Sequence, residues 1–129
     1  NNCFGKGIYR ESNNSFVIEN SNSTDVVVLL VNTYNDVKVR NEFIRKGSSF
    51  TMTKVPSGTY KLQWISGNNW SPNVKMKSCY GGFQTNMSAS ESGPNDYMTV
   101  TTRDRWTVTL YNVPGGNMEH NKIGINDIF

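Results

Sequence analysis

The side chains that could carry out acid–base or nucleophilic chemistry are few in this sequence. Its single histidine, His120, lies in a polar C-terminal stretch between Glu119 and Asn121. A Ser-His-Asp or Cys-His device needs a histidine that is held by packing and oriented by a third group, whereas these neighbours are typical of an exposed tail. A zinc site would need more His and Cys than the chain contains. The sequence therefore predicts neither a nucleophilic device nor a zinc site.

Carboxylates are the other source of chemistry. Glycoside hydrolysis needs two acids that face each other across a cleft, and calcium needs several loop oxygens. Most of the ten acids fall in predicted turns and loops, where they suit turn geometry and solubility: Asp25, Asp36, Glu91, Asp96, Asp104, Glu119 and Asp127. Because no spacing singles out a pair, we predict a protein that is not an enzyme and has no cofactor. Calcium binding by loop Asp and Asn stays open, and an acid-only hydrolase is the weakest alternative.

Aromatic residues beside Asn and Gly are the one positive indication of a function. A predicted turn ends at Asn69, directly before Trp70, while Tyr80 and Phe83 flank two glycines in a predicted loop. Rings in loops beside amides can stack on sugars or contact a partner protein. We therefore take Asn69, Trp70, Tyr80 and Phe83 as candidate binding residues. The alternative is that these rings fold back and cap the open end of the fold.

Two cysteines, Cys3 and Cys79, are far apart and follow no metal-ligand spacing. The first interpretation is a disulfide, and closing so long a loop contributes about 4 kcal/mol in the chain-entropy model. Two free thiols, or a lipid anchor on Cys3, are the alternatives. The disulfide and the anchor both place the protein outside the cytoplasm, and a start without Met is expected of a mature or trimmed chain. We expect a secreted, periplasmic or cell-surface location.

Charge and hydropathy argue against two classes of partner. The net charge is only +3, and no basic run is longer than the pair Arg45 and Lys46. A nucleic-acid binder normally has a concentrated basic stripe. The longest apolar run, residues 26–31, is six residues long, far short of the roughly 20 that span a bilayer. We predict no nucleic-acid partner and no membrane-spanning segment.

Hydrophobic periodicity predicts strands and almost no helix. Turn-forming clusters recur about every 8 to 12 residues, as in sandwiches and barrels. Residues 26–31 are apolar throughout, which predicts a central strand buried on both faces. Alternating or short apolar runs predict six more strands, at residues 16–18, 37–43, 50–53, 60–64, 98–102 and 106–111. Asn35 and Asp36 suit a hairpin turn, residues 56–58 suit a tight turn, and one helical turn fits residues 126–129.

The fold class that follows is all-β. We predict one β-sandwich domain of about seven strands over residues 1–129, prealbumin-like or immunoglobulin-like. Residues 1–15 form an N-terminal arm in this prediction, and residues 114–129 form a C-terminal tail.

Two stretches resemble known families. FTMTKVPSGTYKL, at residues 50–62, resembles the strand–VPxGxY–strand phrase of carboxypeptidase-regulatory-like and other prealbumin-like β-sandwich modules. A longer pattern resembles a group of small exported bacterial β-domains, of the kind encoded by Bacteroides-like gut organisms; it runs FIRKGSSFTMTKVPSGTYKLQWISGNNW, YGGF, WTVTLYNVPGGN and a tail ending IGINDIF. That resemblance covers most of residues 43–129. It implies a secreted or envelope β-domain and assigns no activity to any residue.

These observations favour a non-enzymatic binding or accessory module that is secreted or associated with the bacterial envelope. It would recognise a protein or a glycan through loops at one end of the sandwich. The alternative is a structural spacer or stabilising domain in which every ring belongs to the core. The exposure of Trp70, Tyr80 and Phe83 separates the two hypotheses, because buried rings that line no pocket favour the structural one.

Overall fold

The structure, a computed structural model, describes residues 7–8, 13–21, 23–76, 79–93, 96–101, 103–110 and 120–123. Nine strands and no helix make up this part of the chain, which confirms the all-β prediction. They are β1 (Ser15–Asn20), β2 (Asp25–Asn32), β3 (Lys38–Ile44), β4 (Ser49–Met52), β5 (Gly58–Met76), β6 (Cys79–Ser92), β7 (Met98–Val100), β8 (Arg105–Leu110) and β9 (His120–Ile123).

The strands form two sheets that pack together as a sandwich. The smaller sheet has the order β4-β1-β8, with β1 antiparallel to β4 and parallel to β8. The larger sheet has the order β3-β2-β5-β6-β9, and the short strand β7 pairs with the start of β5. The finer assignment to a prealbumin-like or immunoglobulin-like type stays a prediction.

Two predicted turns join strands in different ways. The hairpin turn at Asn35 and Asp36 is confirmed between β2 and β3, where Asp36 has a φ of 59° and its N–H donates to the carbonyl of Asn32 at 2.8 Å. Pro56 and Ser57 instead lie on the connection from β4, in the smaller sheet, to β5, which begins at Gly58 in the larger one. The proline–glycine segment therefore links the two sheets rather than two neighbouring strands.

Strand β2 is buried on both faces, as its apolar sequence predicts. Val26, Val28 and Leu30 face the smaller sheet and join the main core, whereas Val27 and Leu29 belong to a second cluster on the opposite face. The main core lies between the sheets and also contains residues from seven other strands or connections: Phe16, Ile18, Val39, Ile44, Met52, Val55, Tyr60, Leu62, Trp64, Met98, Val100, Val108 and Leu110.

A β-bulge in β3 changes which side chains face the core. The pairing of β2 with β3 shifts between Leu30 and Val31, so that Leu30 lies opposite Arg40 and Val26 lies opposite Ile44. Because a shift of one residue moves every side chain to the other face, Arg40 turns inward and is only 2% exposed. In the sequence, Val37 and Val39 alternate with Lys38 and Arg40, which predicts Arg40 on the solvent-exposed face of this strand, and that prediction is wrong.

The buried guanidinium of Arg40 joins three parts of the chain. It donates hydrogen bonds to the carbonyl of Ile8 and, at 2.6 and 3.0 Å, to the carbonyls of Thr53 and Lys54. Burial raises the pKa of the Tyr60 phenol, and the positive charge of Arg40 offsets part of that rise. Arg40 therefore connects β3, the segment before β1 and the connection between the two sheets.

Two buried asparagines fix the ends of β1. Asn14 donates to the carbonyls of Val55 and Thr101 at 3.2 and 2.6 Å. Asn20, at the other end, donates to the carbonyl of Ile44 at 3.0 Å. Because a buried amide without partners is costly, each asparagine stabilises the chain that surrounds its end of the strand.

Three sequence predictions about the second half of the chain were wrong. Strand β5 continues through the predicted turn at residues 67–69, and the predicted loop around Cys79 is the strand β6. His120 begins β9 and lies opposite Ser92 of β6, so this part of the predicted tail at residues 114–129 is held in the larger sheet. The proposed helical turn at residues 126–129 lies outside the described residues.

Within the described ranges, no helix is long and apolar enough to cross a bilayer.

Candidate functional site

Strands β5 and β6 extend together beyond the rest of the larger sheet. β2 pairs with β5 as far as Gly67, and β9 pairs with β6 as far as Ala89. Residues 68–76 and 79–87 continue from there as a two-stranded ribbon, which we call the arm. A register shift between Ser66 and Asn68, together with a φ of 59° at Asn69, bends the arm at its base.

The arm packs its rings on the outer face of the larger sheet, which is the face turned away from the smaller sheet. There Phe83 joins the second apolar cluster with Val27, Leu29 and Ile65. Gly67 permits this approach, because a Cβ atom at that position would lie 2.5 Å from the Cβ atom of Phe83. A residue with a side chain at position 67 would push Phe83 away from the sheet.

Phe43, Trp70 and Phe83 form a group of three rings that we call the aromatic cluster. Trp70 and Phe83 lie opposite each other in the pairing of β5 with β6, with ring centroids 5.1 Å apart and planes at 80°. Phe43 on β3 meets Trp70 edge to face at 5.7 Å and stacks on Phe83 at 6.3 Å. Each such pair contributes about 0.5–1.5 kcal/mol beyond its buried area, so the three rings fix one another's orientation.

The predicted binding residues differ in exposure. Asn69 is exposed, Trp70 is half-buried, and Phe83 is only 2% exposed. The side chain of Tyr80 lies outside the described residues, so its role stays a prediction. The structure thus brings Trp70 and Phe83 together, with the exposed Asn69 next to Trp70, and makes Phe83 the buried support of Trp70. Trp70 and Phe83 lie in strands, not in the loops that the sequence predicted.

Phe43 belongs to the site although the sequence did not single it out. It lies opposite Val27, whose side chain is in the second apolar cluster, and its own ring is 42% exposed. The alternating pattern of β3 predicted no binding role for it, because the bulge near Val39 decides which face it occupies. The unbroken apolar run of β2 could have indicated Phe43. A strand that is buried on both faces needs apolar side chains packed against each face, and Phe43 is an apolar residue on the next strand.

The exposed arm residues whose side chains are described are uncharged. They are Asn69, Pro72, Asn73, Gln84 and Thr85. Amides both donate and accept hydrogen bonds, and a hydroxyl does the same. The site can therefore offer flat apolar surfaces and neutral hydrogen-bonding groups to a ligand.

Comparison with known proteins supplies no relative of the chain. No family model, curated protein or solved structure matches it. The two family resemblances stay predictions, and so do the location and the activity.

The carboxylates with described contacts are engaged in local structure. Asp25 accepts a hydrogen bond from the backbone N–H of Lys46 at 2.9 Å, and Asp104 accepts one from that of Thr101 at 2.7 Å. Among the residues that the structure describes, no three His, Cys, Asp or Glu side chains are grouped closely enough to hold a metal ion. The absence of a cofactor stays a prediction, and calcium binding by loop Asp and Asn stays open.

The disulfide between Cys3 and Cys79 stays a prediction. Cys3 lies outside the described residues, and for Cys79 only the backbone is described, at the first position of β6 opposite Met76. The bridge, the two free thiols and the lipid anchor on Cys3 are therefore still three alternatives.

Proposed function

We propose that this protein is a non-enzymatic binding module that recognises a neutral glycan through the aromatic cluster. The observation that supports this is a pair of partly exposed rings, Phe43 and Trp70, held at fixed angles by the buried ring of Phe83. A rigid aromatic face covers the apolar C–H face of a sugar ring at low cost in conformational entropy. Binding of this kind needs no catalytic group.

The chemistry around the rings favours a neutral sugar. The exposed groups described on the arm are amides, a hydroxyl and a proline, none of which carries a charge. Sugar hydroxyls both donate and accept hydrogen bonds, which matches the amides of Asn69 and Asn73. A protein partner is the second possibility for the same surface, and it is an outcome of the test below.

A structural role is the competing hypothesis, and one observation favours it. Phe83 is buried in the second apolar cluster, so at least one predicted binding ring is a core residue. The two roles are compatible within one site if Phe83 supports the surface and Trp70 makes the contact. Replacing Trp70 alone distinguishes the binding role from the structural role.

Replacing Trp70 with alanine is expected to weaken glycan binding about tenfold or more, as for aromatic residues at the centre of a binding surface. A glycan array identifies the ligand, and isothermal titration calorimetry with that ligand measures the loss. If only a protein is captured and no sugar, the glycan proposal is wrong.

The matched control is Trp106→Ala. Trp106 is on β8 of the smaller sheet, is 37% exposed, and donates through Nε1 to the carbonyl of Thr99 at 3.3 Å. Because it lies outside the aromatic cluster, its removal should leave glycan affinity unchanged. Equal affinity of the Trp70→Ala and Trp106→Ala proteins would contradict the proposal.

We also propose that the protein works outside the cytoplasm, as a secreted, periplasmic or cell-surface module. The proposal is supported by the two widely spaced cysteines and by the resemblance to exported bacterial β-domains. Titration of the denatured protein with a thiol reagent is expected to find no thiol before reduction and two after it. Two thiols before reduction would remove this support, and one would indicate that a single cysteine is modified.

A further inference from the structure

An open depression of about 320 Å³ lies beside the start of β1 and is lined by Asn13, Asn14, Ser15, Thr53 and Lys54. We call it the β1 site. Its position is remote from the aromatic cluster. The amide of Asn14 bonds the carbonyl of Thr101, the residue after β7, and β7 pairs with the first residues of β5. Gly67, the residue before the arm, lies nine residues beyond the start of β5 at Gly58, which is about 30 Å at the rise of a strand.

The walls of the β1 site are fixed by buried hydrogen bonds. Arg40 binds the carbonyls of Thr53 and Lys54, and Lys54 has a φ of 53°, so the backbone of this rim is held in one conformation. The side chain of Asn14 holds the opposite wall through the carbonyl of Thr101 and the backbone N–H of Asp104, the latter at 2.9 Å. A ligand would therefore meet a preformed site.

Lys54 lines the site, and a second cation, Arg105, lies across from the lining residue Ser15 on the neighbouring strand. Phe16 and Ile18 of β1 face the core, so Ser15 points outward, and Arg105 of β8 lies directly opposite Ser15 on the same outward face. Arg105 and Lys54 are both exposed, on opposite sides of Ser15. Among the described lining residues there is no carboxylate.

The nearest described acids are already engaged. Asp104 accepts hydrogen bonds from the backbone N–H and the hydroxyl of Thr101 at 2.7 and 3.2 Å. Glu19 lies four residues along β1, about 13 Å away at the rise of a strand, and accepts a hydrogen bond from Thr109 at 2.7 Å. Hydrogen bonds from neutral donors leave Asp104 negatively charged, and Lys54 and Arg105 together carry one positive charge more than Asp104 beside the site.

We propose that the β1 site binds an acidic sugar, with its anionic oxygens between Lys54 and Arg105 and its hydroxyls on Ser15, Thr53 and Asn13. Charged hydrogen bonds to a carboxylate or sulfate group are the strong ones in such a site. The hydroxyl and amide groups on the rim match sugar hydroxyls, which a simple inorganic anion lacks. This site goes beyond the glycan-binding function proposed for the arm and does not depend on it.

The test is a titration of the full chain with glucuronate, followed by the NMR shifts of backbone amides. Glucuronate is expected to move the amides of Ser15 and Lys54, whereas glucose at the same concentration leaves them in place. The Lys54→Gln/Arg105→Gln protein should bind glucuronate about tenfold more weakly or worse, because two charged hydrogen bonds are lost.

The matched control is Arg45→Gln/Lys46→Gln, which removes the same charge from exposed positions near the other end of β1. It should change the affinity by less than about twofold, because distant exposed charges are screened. Equal weakening by both double variants would overturn the site, and so would the absence of any shift with glucuronate. Sodium sulfate that binds as tightly as glucuronate would overturn the assignment to a sugar. Unchanged glucuronate binding by the Trp70→Ala protein shows that the two sites are separate.

Discussion

Replacing Arg40 with methionine is expected to lower the free energy of unfolding by about 4 kcal/mol, because three hydrogen bonds at about 1.5–3 kcal/mol each are lost and the relief from burying a charge offsets part of that loss. The guanidinium is buried and serves the carbonyls of Ile8, Thr53 and Lys54. Methionine has a side chain of similar length but no donor, so these carbonyls lose that partner inside the protein. Urea unfolding followed by tryptophan fluorescence measures the difference.

Arg45→Met is the control for this change. Arg45 directly follows the end of β3 and is exposed, so its loss should alter stability by no more than about 0.5 kcal/mol. Arg40→Lys should fall between the two, because an ammonium lacks the planar fork that serves several carbonyls at once. Equal free energies of unfolding for the Arg40→Met and Arg45→Met proteins would show that the buried guanidinium makes no net contribution to stability.

Arg40 also shows where the sequence stops predicting the fold. Strands whose apolar residues follow a simple pattern were found from the sequence, such as β2 and the start of β5 at Tyr60, Leu62 and Trp64. In β3 the pattern predicted the strand but not its faces. The bulge between β2 and β3 reverses inside and outside, and a bulge is a property of pairing that one strand's sequence does not carry.

The arm was not predicted from the sequence, for a different reason. Strand β6 is rich in Gly, Ser, Asn and Thr, which favour turns in isolation. It is a strand because β5 pairs with it over most of its length, and β9 pairs with its last four residues, 89–92. This pairing outweighs the local preference, since strand propensity depends mainly on context. Gly67, Asn68 and Asn69 are also residues that favour turns, and they predicted a turn that is absent. They lie at a β-bulge within β5 instead.

The candidate site was therefore predicted in part. The ring type and the Asn and Gly neighbours of Trp70 and Phe83 predict a binding role for both, and the structure places the two rings together. What the sequence lacked was the geometry that joins them, namely their opposite positions in the β5–β6 pairing and the space left by Gly67. Phe43, which comes from a strand far away in the chain, depends on that geometry and on the bulge in β3.

Replacing Phe83 with alanine is expected to lower the free energy of unfolding by about 3 kcal/mol, as for a phenylalanine removed from a packed core. The ring is buried against Val27, Leu29 and Ile65 and holds both other rings of the aromatic cluster. Trp70→Ala should be less destabilising, because Trp70 is only half-buried. Urea unfolding of both variants gives the comparison, with Phe50→Ala as the control for a phenylalanine that is 38% exposed.

The two unfolding measurements and the binding measurement together separate support from contact. If Phe83 supports and Trp70 contacts, Phe83→Ala loses stability and affinity together, whereas Trp70→Ala loses affinity at a smaller cost in stability. The structural hypothesis predicts a different result, in which both variants are destabilised to a similar extent and no ligand is bound by either the altered or the unaltered protein. Phe83 is buried and Trp70 is partly exposed. The contrast between the two variants therefore tests whether the aromatic cluster binds a ligand or only stabilises the fold.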